Sequence, residues 1–285
     1  MTKFALVTGA SSGIGRALTV ELSKHDFKVI ACSPQSDIPE QEVLERDHNV
    51  VSLPLDLSNP EDINRVYKQV EEITGGQLEV LYNNAGVSVT GPVIEIEDSE
   101  LNKIFQINTI GQMNLTRLLA PLVIKAQGTI LFTSSSAVQV PLSWIGVYSA
   151  TKAALDAYAL TLHGEMAPFG VRVHSVITGG VDTPLFDDNN EPETSGSLYD
   201  VDGFKESLNK STKSSRTVNI TPEKYAQEVC QDIEKKWNPG FRLYHGARSN
   251  MLHWASMILP LWLIELWVQF YFKQSLVFKS IARRK

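Results

Sequence analysis

Residues 3–15, KFALVTGASSGIG, decide the fold. KFALVT (3–8) is an apolar run of strand length, and TGASSGIG (8–15) follows it directly and opens a segment with helical spacing. Gly9, Gly13 and Gly15 remove the Cβ atoms that would obstruct a tight turn and a close phosphate. The free N–H groups at the start of the next helix then face that phosphate. Glycines also make ordinary turns, so the weight lies in the position of this one, between a first strand and a first helix. A second pattern occupies the same letters. GASSG (9–13) fits the G-x-S-x-G elbow of an ester hydrolase, with Ser11 as nucleophile. Such an elbow normally follows several strands and needs an acid and a histidine later on. His163, His174, His245 and His253 sit in no recognisable loop constellation.

Downstream, FKVIA (27–31), NVVSLPLD (49–56), LEVLYNN (78–84), GTILFTS (128–134) and VRVHSVI (171–177) are further strand-like runs. Helical segments lie between them. SNPEDINRVYKQVEEI (58–73) sets Ile63, Val66, Val70 and Ile73 on one face behind a Ser58 or Asn59 cap. Strands alternating with helices predict an α/β fold, a doubly wound parallel sheet covered on both faces. The polar stretch 186–203, FDDNNEPETSGSLYDVDG, reads as a long loop at the carboxyl edge, where such sheets bind ligands.

The 285 residues suffice for one large domain. A net charge of −6 argues against a nucleic-acid partner. Two cysteines, Cys32 and Cys230, make neither a disulfide framework nor a metal cluster and fit a reducing compartment. The first residues enter a strand pattern directly, so no secretory signal is expected.

YSATK (148–152) places Tyr148 and Lys152 four residues apart, on one face of a helix. A phenol with an ordinary pKa of about 10 is a poor acid–base catalyst at neutral pH, and a neighbouring ammonium lowers that value. The alternative is an ordinary surface pair. Ser135 ends a strand-like run thirteen residues earlier, where a plain loop start is the bland reading.

TGASSGIG, NNAG (83–86), Asn108, Ser135 and YSATK together resemble the short-chain dehydrogenase/reductase family, in order and spacing over about residues 3–245. The resemblance implies a single-domain Rossmann sheet of order 3-2-1-4-5-6-7 and hydride transfer between a nicotinamide and a carbonyl or alcohol. It implies that Tyr148 gives the proton, Ser135 holds the carbonyl oxygen, and Lys152 lowers the tyrosine pKa and binds the nicotinamide ribose. Asn108 would seat a water joining Lys152 to solvent. Gly9, Ser11, Ile14 and Gly15 would contact the cofactor, with Asp56 at the adenine, Asn84 on the adenosine side, and Val181 and Thr183 by the carboxamide. One departure is Thr178-Gly179, where the family usually has Pro-Gly. LYNNAG, KAQGTILFT, YSATKAA, LHGEMAPFGVRV and ITGGV are also similar to fungal NADPH-dependent acyl-dihydroxyacetone-phosphate reductases, a subgroup sharing that departure. This implies reduction of 1-acyl-dihydroxyacetone phosphate to 1-acylglycerol 3-phosphate in glycerolipid synthesis. A steroid or polyketide-type ketone stays open, as does a lipid ester hydrolase using Ser11.

ACSPQSD (31–37) has neutral Cys32 and Ser33 at the end of the second strand, and Asp37 falls too late to bind a ribose 2′-OH. NADPH is therefore expected, with NADH open. A phosphorylated substrate would need cations, and Lys205, Lys210, Lys213 and Arg216 are the candidates.

Residues 251–272, MLHWASMILPLWLIELWVQFYF, hold three of the five tryptophans. Pro260 and Glu265 interrupt a membrane span. Glu265, Gln269 and Lys273 form a polar stripe on an otherwise apolar helix, and residues 273–285 carry Lys273, Lys279, Arg283, Arg284 and Lys285 with no acid. A helix lying in a lipid interface fits this pattern, and a buried helix closing the substrate pocket is the alternative. The division expected is a catalytic domain over 1–248 and a membrane-associating segment over 249–285, dispensable for chemistry. The expected location is the cytoplasmic face of the endoplasmic reticulum or a lipid droplet. The family resemblance implies a homodimer through helices around 100–125 and 145–168.

Overall fold

The computed structural model describes residues 2–186, 194–213, 217–235 and 237–284. Strands β1 (Lys3–Thr8), β2 (Phe27–Ser33), β3 (Val50–Pro54), β4 (Val80–Asn83), β5 (Thr129–Ser135), β6 (Arg172–Thr178) and β7 (Arg242–His245) form one sheet in the order β3-β2-β1-β4-β5-β6-β7, every pair parallel. That is the Rossmann order implied by the sequence motifs.

Alternation along β1 explains the layers. Ala5 and Val7 pack on one face with Leu18 and Leu22 of α1 (Gly13–Lys24) and Val229 and Ile233 of α8 (Pro222–Glu234). Leu6 faces the other way, toward Val66 and Val70 of α3 (Pro60–Thr74) and Leu119 and Val123 of α5 (Gly111–Ala126). Both faces are dry, which is why the strands read as unbroken apolar runs. Helix α3 starts where Asn59 accepts a hydrogen bond from the Glu61 N–H at 2.9 Å, so Asn59, not Ser58, is the cap.

The strand order reverses between β1 and β4. Thr8 and Asn83 end those strands, and the β5–β6 register sets Ser135 opposite Thr178 at the same edge. That edge is where ligands bind in this architecture. The remaining helices of the body are α2 (Ile38–Asp47), α4 (Asp98–Phe105), α6 (Gly146–Met166) and α7 (Phe204–Thr212).

The C-terminal segment corrects the sequence expectation of a polar stripe Glu265, Gln269 and Lys273 on one helix. It forms α9 (Ser249–Ile258), α10 (Leu261–Tyr271) and α11 (Gln274–Ala282). Pro260 breaks the first junction, and Lys273, with φ of 57°, breaks the second. Glu265 and Gln269 share α10, but Lys273 lies outside it, so the polar stripe does not run on. Ile264, Val268 and Phe272 pack on Val140, and Val277 packs with Trp144, Phe204 and Leu208. The opposite side keeps large apolar residues exposed, including Trp254, Ile258, Trp262 and Phe270. No helix among the described residues is long and apolar enough to cross a membrane.

Candidate active site

The glycine turn works by close approach. A Cβ on Gly15 would stand 2.0 Å from the Gly9 carbonyl oxygen and 2.6 Å from Asn84 Nδ2. Gly9 has φ of 67°, and a Cβ there would meet Ala85 Cα at 2.8 Å. The turn thus lies flat against the β4 end. Asn84 fixes the junction by donating from Nδ2 to the Thr8 carbonyl at 3.0 Å and accepting from Thr133 Oγ1 at 3.1 Å.

These residues border a cleft of about 560 Å³, walled also by Ser11, Ile14, Asp56, Tyr148, Lys152 and Thr183. Gly15, Asn108 and Val181 stand behind the wall; the Val181 side chain is buried in the core under the sheet. Asp37 corrects the sequence reading. The chain turns at Pro34 into a short 3₁₀ turn, Gln35–Asp37, which brings Asp37 back to the cleft beside Ser33. Its Oδ2 accepts a hydrogen bond from Ser11 Oγ at 2.9 Å. This bond also bears on the hydrolase reading, because Ser11 meets a carboxylate and no histidine. His163 and His174 bind backbone carbonyls of Val173 and Gly240, His245 faces Asp232, and His253 faces Tyr244.

Helix α6 carries Tyr148 and Lys152, both nearly fully buried. Lys152 Nζ donates to the Thr133 carbonyl at 2.9 Å and lies 5.9 Å from the Tyr148 ring centroid. A Cβ on Gly86 would touch both Lys152 Nζ and Asn108 Oδ1 at 3.4 Å, so the three converge. Asn108 lies in a π-helical turn, Gln106–Ile110, between α4 and α5. Its side chain accepts from the Val87 N–H and donates to the Val87 carbonyl, each at 2.8 Å, and donates to Thr151 Oγ1 at 3.1 Å. It therefore ties the β4 loop to α6. Burial pushes the Tyr148 phenol up to about 12, with the Ser135 hydroxyl pulling the other way. Burial also brings Lys152 down to about 8. Burial, not the lysine expected from the sequence, sets the direction of the tyrosine's shift here.

Ser135 ends β5, where its Oγ accepts from the Ala137 N–H at 3.1 Å and caps a 3₁₀ turn. It borders a second cavity of about 120 Å³, and Tyr148 is a wall of both cavities. Residues 3–194 match the family described as short chain dehydrogenase. The chain belongs to the short-chain dehydrogenase family. It is 36% identical over 266 residues to the NADPH-dependent 1-acyldihydroxyacetone phosphate reductase of Saccharomyces cerevisiae, covering 92% of this chain and 89% of that one. It is 32% identical to short-chain dehydrogenase PC-15 of Penicillium crustosum, covering 90% of this chain and 92% of the relative. A short-chain dehydrogenase from Streptomyces avermitilis has the same fold, with a TM-score of 0.77 and 28% identity over 90% of this chain and 93% of that one.

As in the family pattern, the sixth strand ends at a glycine, but Thr178 precedes it. The Thr178 hydroxyl shares a 2.7 Å hydrogen bond with Tyr225 OH and so ties β6 to α8. The second cavity is mostly apolar, with Val140, Leu142, Ile145 and Phe186 on the body side. Leu252, Trp267, Tyr271 and Phe272 close it from the C-terminal helices. The segment thus has two faces: the inner one walls the pocket and the outer one is exposed and aromatic. Lys205, Lys210 and Lys213 do not line this cavity, and Arg216 lies outside the described residues. Arg248, which the sequence reading missed, does line it.

Proposed function

We propose that this short-chain dehydrogenase reduces a lipophilic ketone with NADPH, and that the ketone is 1-acyl-dihydroxyacetone phosphate, yielding 1-acylglycerol 3-phosphate. The observation that carries the reading is Tyr148, a proton donor that walls both the polar cleft and the apolar pocket. The cleft suits a dinucleotide, since its floor is a glycine turn held flat by the close approach of Gly15 to the Gly9 carbonyl, which a Cβ on Gly15 would prevent. Gly9, Ser11, Ile14 and Gly15 would hold the cofactor's phosphates, and Asp56 and Asn84 its adenosine half. Thr183 and the Val181 backbone would sit by the carboxamide. The nicotinamide supplies the hydride.

The chain's own residues manage the proton and the charge. Ser135 holds the ketone oxygen, and Tyr148 transfers its proton to it as negative charge develops there. Lys152 stabilises the resulting phenolate and binds the ribose. Asn108 fixes the turn from which a water could reach Lys152. NADPH and the acyl ketone phosphate are inferred from the likeness to the yeast reductase. Asp37 in the cleft opposes a 2′-phosphate and argues for measurable use of NADH as well. A pocket of about 120 Å³ is smaller than the roughly 300–1,000 Å³ of most small-molecule sites, which supports a substrate whose head reacts inside while a chain lies outside.

Residues 1–248 then act as the catalytic body and 249–285 as the segment that meets lipid, on the cytoplasmic face of the endoplasmic reticulum or a droplet. Exposed Trp254, Trp262 and Phe270 support that contact. Exposed Ile110, just before α5, and Leu160, on α6, support a homodimer. The deciding experiment is NADPH oxidation by the purified protein with acyl-dihydroxyacetone phosphate, a steroid ketone and a simple aldehyde. Highest kcat/KM on the first supports the reading, and higher kcat/KM on the steroid replaces it.

A further inference from the structure

We propose that Arg248 and Lys210 form an anion site at the rim of the ketone pocket, taking the phosphate monoester of the substrate. The inference rests on the ketone-phosphate reading and gives that reading a place in the structure. Among the described residues, Arg248 is the one cation lining the second cavity, the cavity that Ser135 and Tyr148 also line. Lys210, on α7, does not line the cavity itself; its ammonium lies over the ring of Tyr271, which does.

Both cations converge on Tyr271. The Arg248 guanidinium lies 5.5 Å from that ring centroid and donates from Nη1 to the phenol oxygen at 3.2 Å. Lys210 Nζ lies 4.7 Å from the same centroid. Neither has a carboxylate partner among the described residues; Glu206, the acid on α7, is paired with Lys273. Among the described residues, two positive charges therefore stand beside a half-buried aromatic with no acid paired to either. Such an arrangement favours an anion entering the cavity.

The arginine is held in position. Its φ is 65°, a left-handed conformation that residues with side chains seldom adopt. Ala247 before it exchanges hydrogen bonds with Gly180 at 2.9 Å in each direction, and the Arg248 carbonyl accepts from Leu252 N–H at 2.9 Å to begin α9. The backbone is thus fixed on both sides, and the side chain leaves it toward the pocket. A guanidinium has five N–H donors and one is used on Tyr271, so a bidentate fork remains for phosphate oxygens. Lys210 adds a point charge. In an acyl ketone phosphate the phosphate is on the carbon next to the ketone. A phosphate at Arg248 therefore fits a ketone at Tyr148 in the same cavity.

A phosphate monoester could also come from a lipid headgroup, so the assay is run without lipid. The probes are a short-chain, water-soluble acyl-dihydroxyacetone phosphate and the same ketone with a hydroxyl in place of the phosphate. The intact protein is compared with Arg248→Met, Lys210→Met, the double variant and Arg248→Lys. The site requires that Arg248→Met raise KM for the phosphorylated ketone by roughly ten- to a hundred-fold, the scale of a lost charged hydrogen bond. KM for the uncharged ketone should stay within about two-fold, as should kcat for both. Lys210→Met should act in the same direction more weakly, and Arg248→Lys should restore part of the loss. Inorganic phosphate should compete with the phosphorylated ketone in the intact protein and not in the double variant. Equal KM increases for both ketones would assign the pair to packing around Tyr271 and overturn the site. Unchanged KM together with lost sedimentation on phosphatidic-acid vesicles would assign it to a lipid headgroup and overturn it too. If the intact protein shows no preference for the phosphorylated ketone, the substrate reading itself fails. A preference that survives in every variant removes only this site.

Discussion

Tyr148 and Lys152 act through burial as much as through spacing. With its pKa pushed up to about 12, Tyr148 stays protonated at any ordinary pH and is ready to give a proton. Tyr148→Phe is expected to cut turnover by roughly 10²–10⁴-fold while NADPH affinity, measured by fluorescence titration, stays close to that of the intact protein. A loss below ten-fold would remove Tyr148 from the proton-donor role. In the proposed mechanism Lys152 is the source of the pH dependence. Its pKa is lowered to about 8, so its charge is present below about 8 and is lost as pH rises through that value. Because Tyr148 remains protonated over the same window, kcat/KM for reduction is expected to be level below about 8 and to fall above it. Lys152→Arg should carry the descending limb to higher pH, and a profile that falls at the same pH in that variant would contradict the assignment. At this scale the sequence disclosed only what local spacing carries. Tyr148 and Lys152 share a helix face and could be paired from the letters. Asp37 could not, because the 3₁₀ turn after Pro34 folds the chain back by a distance that residue counting overestimates. Arg248 was hidden for another reason. Its place in the pocket depends on a left-handed backbone at a non-glycine residue and on contacts across the fold.

Elements were legible where burial was symmetric. Strands β1, β2, β4, β5 and β6 are covered on both faces and edge strand β3 still buries Val50 and Leu53, so each shows as an apolar run. RLYH of β7, at the sheet edge, has an exposed arginine and half-buried Tyr244 and His245, and carries too few apolar residues to stand out. The C-terminal helices were legible as apolar but not in their division of labour, because both faces are hydrophobic and periodicity cannot say which one is covered. Two phenylalanines separate the faces. Phe272 is 6% exposed and walls the pocket, whereas Phe270 is 81% exposed. Phe272→Ala is expected to cost about 3 kcal/mol, the low end for a buried phenylalanine, and to raise KM for an apolar ketone. Phe270→Ala should leave the melting temperature almost unchanged and weaken liposome sedimentation. Calorimetry and sedimentation on the two variants check both statements. Equal effects of the two substitutions on stability would mean that the segment is packed differently from this arrangement.

At the scale of the whole molecule, the C-terminal segment both walls the pocket and presents an exposed apolar face. The Ser207 hydroxyl accepts from the Trp144 indole N–H at 2.9 Å and donates to the Phe272 carbonyl at 2.8 Å, so the body and the segment share one buried hydrogen-bond chain. Trp144 itself has φ of 71°, a strained conformation for so large a residue, which persists only where its surroundings hold it. A chain ending at Asn250 would lose Ile264, Val268, Phe272 and Val277 from two buried clusters and open the pocket beside Tyr148. The sequence alone suggested that such a truncation would still reduce a soluble ketone. The packing predicts a loss: a lower melting temperature and a kcat/KM on the soluble ketone reduced at least several-fold, along with lost liposome binding. Salt separates this structural role from the proposed surface role in the intact protein. The body contributes to a net charge of −6, while the end beyond Lys273 is basic. Raising ionic strength shortens the Debye length to about 3 Å at 1 M and screens the basic end, yet leaves the apolar face free to insert. Binding to anionic vesicles should therefore fall only in part, and activity on a soluble ketone should not follow it down. A truncated protein with unchanged stability and unchanged turnover would show that the segment closes nothing, and the pocket wall assigned to Trp267, Tyr271 and Phe272 would have to be given up.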